Sequence, residues 1–166
     1  MREHTPTSAP EAPARSADPG RGERASAPAG AVGETRGLRR GAKALVTSGG
    51  RVLLVKEART DGPAFWSLPG GGVERGESER ECLGRELAEE LRCRSRVGPA
   101  VGSCLYDHAT RHVATVYTVF EATLESDPDP DPAEGIVDYA WRKPTDLPET
   151  TLRPIAGVVA DTRSDE

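Results

Sequence analysis

Seven aromatic side chains, one methionine and three cysteines are spread over 166 residues. The cysteines, Cys82, Cys93 and Cys104, are odd in number and contain no C-x-x-C pair, which fits neither a disulfide framework nor a zinc site. They read as small buried or half-buried side chains in a reducing compartment. No apolar run approaches the roughly 20 residues a membrane-spanning helix needs, and the first residues lack the apolar stretch of a secretory signal. The expectation is a cytoplasmic protein with no membrane partner. Positive charge is not in surplus either: 22 basic against 27 acidic side chains leave a net charge of −5, which argues against a nucleic-acid partner.

Glycine (18) and proline (14) are plentiful, and much of that excess lies at the N-terminal end. Residues 1–37 hold eight alanines, five prolines, five glycines and three serines, with five arginines balanced by five acids. Such a stretch buries too little apolar surface to offset the entropy of ordering it, so 1–37 is expected to be a disordered tail. Residues 38–160 then form one domain, and 161–166 a short polar tail.

Within that domain, Ala42 to Thr47 and Arg51 to Lys56 read as the two arms of a hairpin about Ser48-Gly49-Gly50. A short apolar piece, Phe65 to Leu68, is halted by Pro69 and three glycines. Ser78, with Glu81 three residues on, is a capping-box pattern, and Leu83, Leu87 and Leu91 give the helix it opens a buried stripe. Strands follow at Val97 to Tyr106, His112 to Thr123 and Ile136 to Arg142. The Asp-Pro repeats between Glu125 and Glu134 make a stiff solvated loop. A closing helix is expected over Glu149 to Ala160, with Pro154 tolerable only in its first turn.

The chemistry lies on the first helix. Glu86, Glu89 and Glu90 are spaced i, i+3, i+4, so their carboxylates sit on adjacent turns beside the apolar stripe. Three crowded carboxylates repel one another unless a cation holds them, and hard oxygen donors suit Mg²⁺ or Mn²⁺. Arg85 offers a planar fork of donors to orient them. A metal held by few protein oxygens keeps positions for water and phosphate, which suits hydrolysis of a phosphoanhydride.

The stretch Gly71 to Cys93 resembles the signature of the Nudix hydrolase family, G-x5-E-x7-R-E-U-x-E-E-x-G-U with U a bulky aliphatic residue. Gly71, Glu77, Arg85, Glu86, Leu87, Glu89 and Glu90 stand on it in register, and Trp66 to Gly71 match the W-x-L-P-G-G segment that usually precedes it. Arg92 stands where the family has glycine and Cys93 where it has an aliphatic residue. The glycine ends the helix in a left-handed conformation, so another residue there costs about 1 kcal/mol or changes the exit.

The resemblance implies an α/β/α sandwich with a mixed sheet. It implies a Mg²⁺-dependent pyrophosphohydrolase acting on a small-molecule nucleoside diphosphate derivative by water attack at phosphorus. Glu86, Glu89 and Glu90 would hold the metals, with the carbonyl of Gly70 or Gly71 as a further ligand, and Arg85 and Glu77 would support the loop and the carboxylates. Glu86, Glu134 and Asp138 are candidates for the base. The alternative is a non-catalytic nucleotide or sugar-nucleotide binding module, favoured only by Arg92; an isomerase acting on a prenyl diphosphate is a third reading. His108, His112, Tyr106 and Tyr117 are possible contacts to phosphate or base, while Trp141 reads as core.

Overall fold

A computed structural model describes residues 37–108 and 111–162. The expected tail, 1–37, lies outside them except for Gly37. Eight strands and two helices run in the order β1 (Gly37–Leu45), β2 (Thr47–Ser48), β3 (Arg51–Glu57), β4 (Phe65–Ser67), β5 (Gly70–Gly72), α1 (Glu79–Leu91), β6 (Ser95–His108), β7 (Val113–Leu124), β8 (Ile136–Arg142) and α2 (Arg153–Asp161). They form two sheets. One has the order β5-β1-β7-β6, with β1 parallel to β7 and its other pairings antiparallel. The other is antiparallel and is built on β3, with β2, β4 and β8 beside it.

Strand alternation creates two apolar layers. Ala42, Ala44, Val46, Leu53 and Val55 point toward α1 and pack with its Leu83, Leu87 and Leu91. Leu45, Val52 and Leu54 point the other way and pack with Ile155, Val158 and Val159 of α2. This is the expected α/β/α sandwich with a mixed sheet. Trp141 packs at the margin of the α1 layer, as core.

The hairpin is shorter than expected. Thr47 and Ser48 pair across to Val52 and Arg51 and the Val46 carbonyl accepts from Leu53 N–H, but no residue before Val46 joins them, because the chain leaves the first sheet after Leu45 and enters the second. β1 spends its hydrogen bonds on β5 and β7 instead. The second helix also starts later than expected, at Arg153, with Pro154 in its first turn. The residues before it are bonded to β4: Trp66 N–H donates to the Thr150 carbonyl and Leu152 N–H to the Trp66 carbonyl.

The helix that carries the glutamates starts at the expected signal. Glu81 N–H donates to Ser78 Oγ at 3.2 Å and Ser78 N–H to Glu81 Oε2 at 2.8 Å, the two bonds of a capping box. It ends at Arg92, whose φ of 50° and ψ of 30° are left-handed. A non-glycine residue therefore adopts the conformation that glycine normally takes at this point, and the helix exit is kept at the cost of strain.

The Asp-Pro loop does not stand free in solvent. Asp129 and Asp131 N–H groups donate to the carbonyls of Leu91 and Glu90, satisfying the open end of α1. The Arg92 guanidinium pairs with Asp129 and Asp131, each at 3.1 Å. Cys93, buried, lies with Sγ 3.3 Å from the Asp127 carbonyl. Residues that looked like a solvated loop thus serve as the C-terminal cap of the helix that bears the glutamates.

Candidate active site

The glycine turn meets α1 at Gly70 and Gly71. Gly70 has φ +133°, and a Cβ there would collide with the Ala42 carbonyl, so only glycine fits. Its N–H donates to Glu90 Oε2 at 2.9 Å, and its carbonyl accepts from Lys43 Nζ at 3.0 Å. At Gly71 a Cβ would run into the carboxylate of Glu86, so this glycine lets the turn lie flat against the helix. The β5 turn is held against α1 by carboxylates, not by apolar packing alone.

Glu86, Glu89 and Glu90 occupy the last two turns of α1, where the helix dipole is negative and no basic residue lies in the last turn. Their environments differ. Glu90 is 7% exposed, Glu86 is half-buried, and the Glu89 side chain is 41% exposed. Burial pushes the Glu90 carboxyl up to about 8, against the pull of Lys43 and the Gly70 N–H, with Glu57 adding to the rise. Burial also raises Glu86, although Arg85 opposes it.

Two cations sit within the cluster. Arg85 reaches Glu77 with Nε at 2.8 Å and Nη2 at 3.0 Å, and its Nη1 lies 3.1 Å from Glu86 and 3.0 Å from Glu89. Its Nη2 also donates to the Gly72 carbonyl. This fork holds Glu77 near 2, chiefly through its own hydrogen bonds and secondarily through the Glu74 N–H. The second cation, Lys43, is 4% exposed near the C-terminal end of β1. Its Nζ lies 3.4 Å from Glu57 Oε1 and 5.1 Å from the centre of the Tyr117 ring. Burial alone would lower the lysine, but Glu57 and Glu90 outweigh it and raise it.

The helix therefore assembles Arg85, Glu86, Glu89 and Glu90 as the spacing implied, and Glu77 joins through Arg85. Of the two carbonyls expected as a further ligand, that of Gly71 accepts from Cys82 Sγ at 3.5 Å and that of Gly70 accepts from Lys43 Nζ. Asp138 and Glu134 are exposed, and the Asp138 carboxylate accepts the N–H of Tyr139. Sequence reasoning missed Lys43 and Glu57. The available signal was a charged residue set within the apolar run Ala42 to Val46.

Among the described residues no group of three acidic, histidine or cysteine side chains is already closed around one cation position. The donor set nevertheless fits a hard divalent ion: carboxylate oxygens of unequal burial on one helix face, held beside a backbone carbonyl. Glu86 and Glu89, which share Arg85 Nη1 and reach solvent, are the groups best placed to accept it.

A narrow cavity opens beside Lys43 and Glu57. Phe65, Ser67, Tyr106, Tyr117, Leu152 and Ile155 are among the residues that line it. Ser67 Oγ is buried there without a hydrogen-bond partner. Arg59 lies over the Phe65 ring at 4.8 Å and donates to the Tyr106 hydroxyl at 2.9 Å. His108 stacks edge-on against Tyr106, its ring nitrogen 3.2 Å from Thr115 Oγ1. A larger cleft, lined in part by Thr47, Ser103 and Asp161, has none of these carboxylates in its wall.

Residues 37–161 match the model of the NUDIX domain. The chain is 34% identical to the nucleoside triphosphatase NudI of Escherichia coli O81 (strain ED1a) over 114 residues, covering 62% of this chain and 80% of that one. Its fold is similar to the MutT NUDIX hydrolase from Burkholderia pseudomallei, with a TM-score of 0.67 at 25% identity over 74% of this chain and 96% of that one. It is also similar to the MutT protein from Methanosarcina mazei Go1, with a TM-score of 0.71 at 21% identity over 80% and 98% of the two chains.

Proposed function

This chain belongs to the Nudix family and is a pyrophosphohydrolase of nucleoside diphosphate derivatives; from that premise we propose that it is Mg²⁺-dependent, with Glu86, Glu89 and Glu90 as metal ligands. Mn²⁺ would serve in place of Mg²⁺. The substrate class we favour is a nucleoside triphosphate, a nucleoside diphosphate linked to phosphate, because the chain resembles a nucleoside triphosphatase. The observation that carries the reading is the set of three unequally buried glutamates on one face of α1, pinned against the β5 glycine turn.

A bound divalent cation would supply positive charge to the phosphate oxygens and make a water acidic enough to attack. The chain's own groups do the rest. Water adds to phosphorus, the bridging P–O bond breaks with its electron pair leaving on the bridging oxygen, and the water's proton passes to a carboxylate. Glu86, raised by burial, suits that acceptance, and Arg85 holds Glu86 and Glu89 in place. At about 70 Å³ the cavity of Phe65, Tyr106 and Tyr117 is too small to enclose a nucleoside, which would rest at its mouth.

The non-catalytic alternative drew its support from Arg92. Arg92 keeps the left-handed helix exit and leaves Glu90 bonded to Gly70, so nothing at that position favours binding without turnover.

Incubation of the full chain and Mg²⁺ with a panel of nucleoside triphosphates, sugar nucleotides and dinucleoside polyphosphates, scored by phosphate products, tests the reading. Turnover of at least one member, abolished by EDTA, is expected. Turnover on none, or turnover that survives both Glu86→Gln and Glu90→Gln, overturns it. The catalytic unit is proposed to be residues 38–160, although β1 starts at Gly37 and α2 ends at Asp161. Removing residues 1–34 should accordingly leave activity unchanged.

A further inference from the structure

Lys43 occupies a place that oxygen chemistry would otherwise assign to a metal. Its ammonium lies 3.0 Å from the Gly70 carbonyl and 3.4 Å from a Glu57 oxygen. The N–H of the same residue, part of the preceding peptide, donates to the buried Glu90 carboxylate. A backbone carbonyl with carboxylates near it is a hard-donor set of the kind that holds Mg²⁺ or Mn²⁺. An ammonium already seated in it repels any dication that approaches, and burial weakens the screening that would soften that repulsion. Arg85 holds a comparable relation to the outer carboxylates, but it lies at the surface side and bonds through a flat fork, so displacement by solvent or metal is open to it. Lys43, 4% exposed and braced over the Tyr117 ring, has no such exit.

We infer that Lys43 is a built-in cation that fills the innermost cation position of the cluster, at the Gly70 carbonyl and Glu57, and confines divalent ions to the outer carboxylates. The chain then needs one divalent ion fewer than its oxygen donors could hold. The inner positive charge at the cavity mouth is also present whatever the metal supply. Glu57 in this arrangement is the partner of an ammonium, not a metal ligand. The inference rests on the reading that the α1 glutamates bind divalent ions, and it narrows that set to Glu86 and Glu89.

The test is a Mn²⁺ titration of the metal-stripped full chain without substrate, followed by the electron paramagnetic resonance signal of free Mn²⁺. Lys43→Met, checked by a thermal melt, should bind one more Mn²⁺ per chain than the wild type. Glu57→Gln should leave wild-type Mn²⁺ affinity nearly unchanged, and it decides the matter if Lys43→Met does not fold. The same ion count in Lys43→Met and wild type overturns the inference, as does a loss of about tenfold or more in Glu57→Gln, the size of effect expected when a metal site is disturbed. A wild type that binds Mn²⁺ with no change in either count or affinity on Lys43→Met overturns this inference alone. A wild type that binds none overturns the metal reading and this inference with it.

Discussion

Two acidic regions press on the same helix, and they do so to opposite ends. Residues 74–90 hold seven glutamates and three arginines, and residues 125–138 hold six acids and no base. By charge alone the second region is the better cation trap. Its acids, however, stand in solvent or pair with the exposed guanidinium of Arg92, and its contribution to α1 is made by backbone N–H groups. In the first region Glu86 and Glu90 are withdrawn from water, their carboxyls are raised, and buried or half-buried cations are built in beside them. Desolvation, not the number of charges, separates a place where chemistry is done from a place where a loop is fastened.

The sharpest way to break this comparison is to remove charge from each region in turn. Glu86→Gln should lower kcat/KM by about 10²–10⁴-fold, the range for losing a group that handles the proton. Asp129→Asn with Asp131→Asn should leave it within about twofold, since surface ion pairs contribute only a fraction of a kcal/mol. Equal losses from the two changes would erase the distinction.

Glu90 should also set the pH dependence of the metal-free protein. Its folded value of about 8 lies above the ordinary 4.5. The fold thus favours the protonated carboxyl, and the stability this gives is whole below the ordinary value and lost as pH rises toward the folded one. Chemical denaturation should show stability falling across that window, by at most about 1.4 kcal/mol per pH unit for one proton. Glu90→Gln should flatten the slope and leave the metal-free protein more stable in mild alkali, by about 1–3 kcal/mol. A slope that persists in this variant would assign the proton elsewhere.

Smaller effects are expected at the fastened end. Arg92→Gly relieves left-handed strain of about 1–2 kcal/mol but forfeits the two ion pairs, so its stability should stay close to that of the wild type. Arg92→Ala keeps the strain and forfeits the pairs, and its melting temperature should fall below that of Arg92→Gly. Neither change should touch kcat. Smallest of all, added salt should narrow the gap between the wild type and Asp129→Asn with Asp131→Asn, because those pairs are screened.

The legibility of these two regions in the sequence differs for a physical reason. The glutamate ladder and its capping box are local, fixed by spacing along one helix, and could be read without coordinates, whereas Arg92 left open whether the left-handed exit is kept. Lys43 and Glu57 belong to different sheets and reach the glutamates only through strand register, Lys43 opposite Gly70 and Glu57 opposite Phe65. No spacing within either strand announces that meeting. The same cause shortened the hairpin, since leaving one sheet for another after Leu45 carries no mark in the residues that do it. The Asp-Pro loop was legible as stiff and acidic, but its hydrogen bonds to Glu90 and Leu91 are made from about 40 residues away and in backbone atoms that every sequence shares.

Gly70 has a consequence for the rigidity of the turn. Three consecutive glycines, Gly70 to Gly72, are the most conformationally free run in the site and should lose the most entropy on being held still. Yet the two peptide groups that flank the Gly70 Cα are each tied to a charge: the N–H of the Pro69–Gly70 peptide donates to a carboxylate, and the carbonyl of the Gly70–Gly71 peptide accepts from an ammonium. Turning over the first would set oxygen against carboxylate, and turning over the second would set hydrogen against ammonium. The freedom that glycine brings is thereby restrained on both sides of one Cα, and the turn keeps the close approach only glycine allows while behaving as a fixed wall.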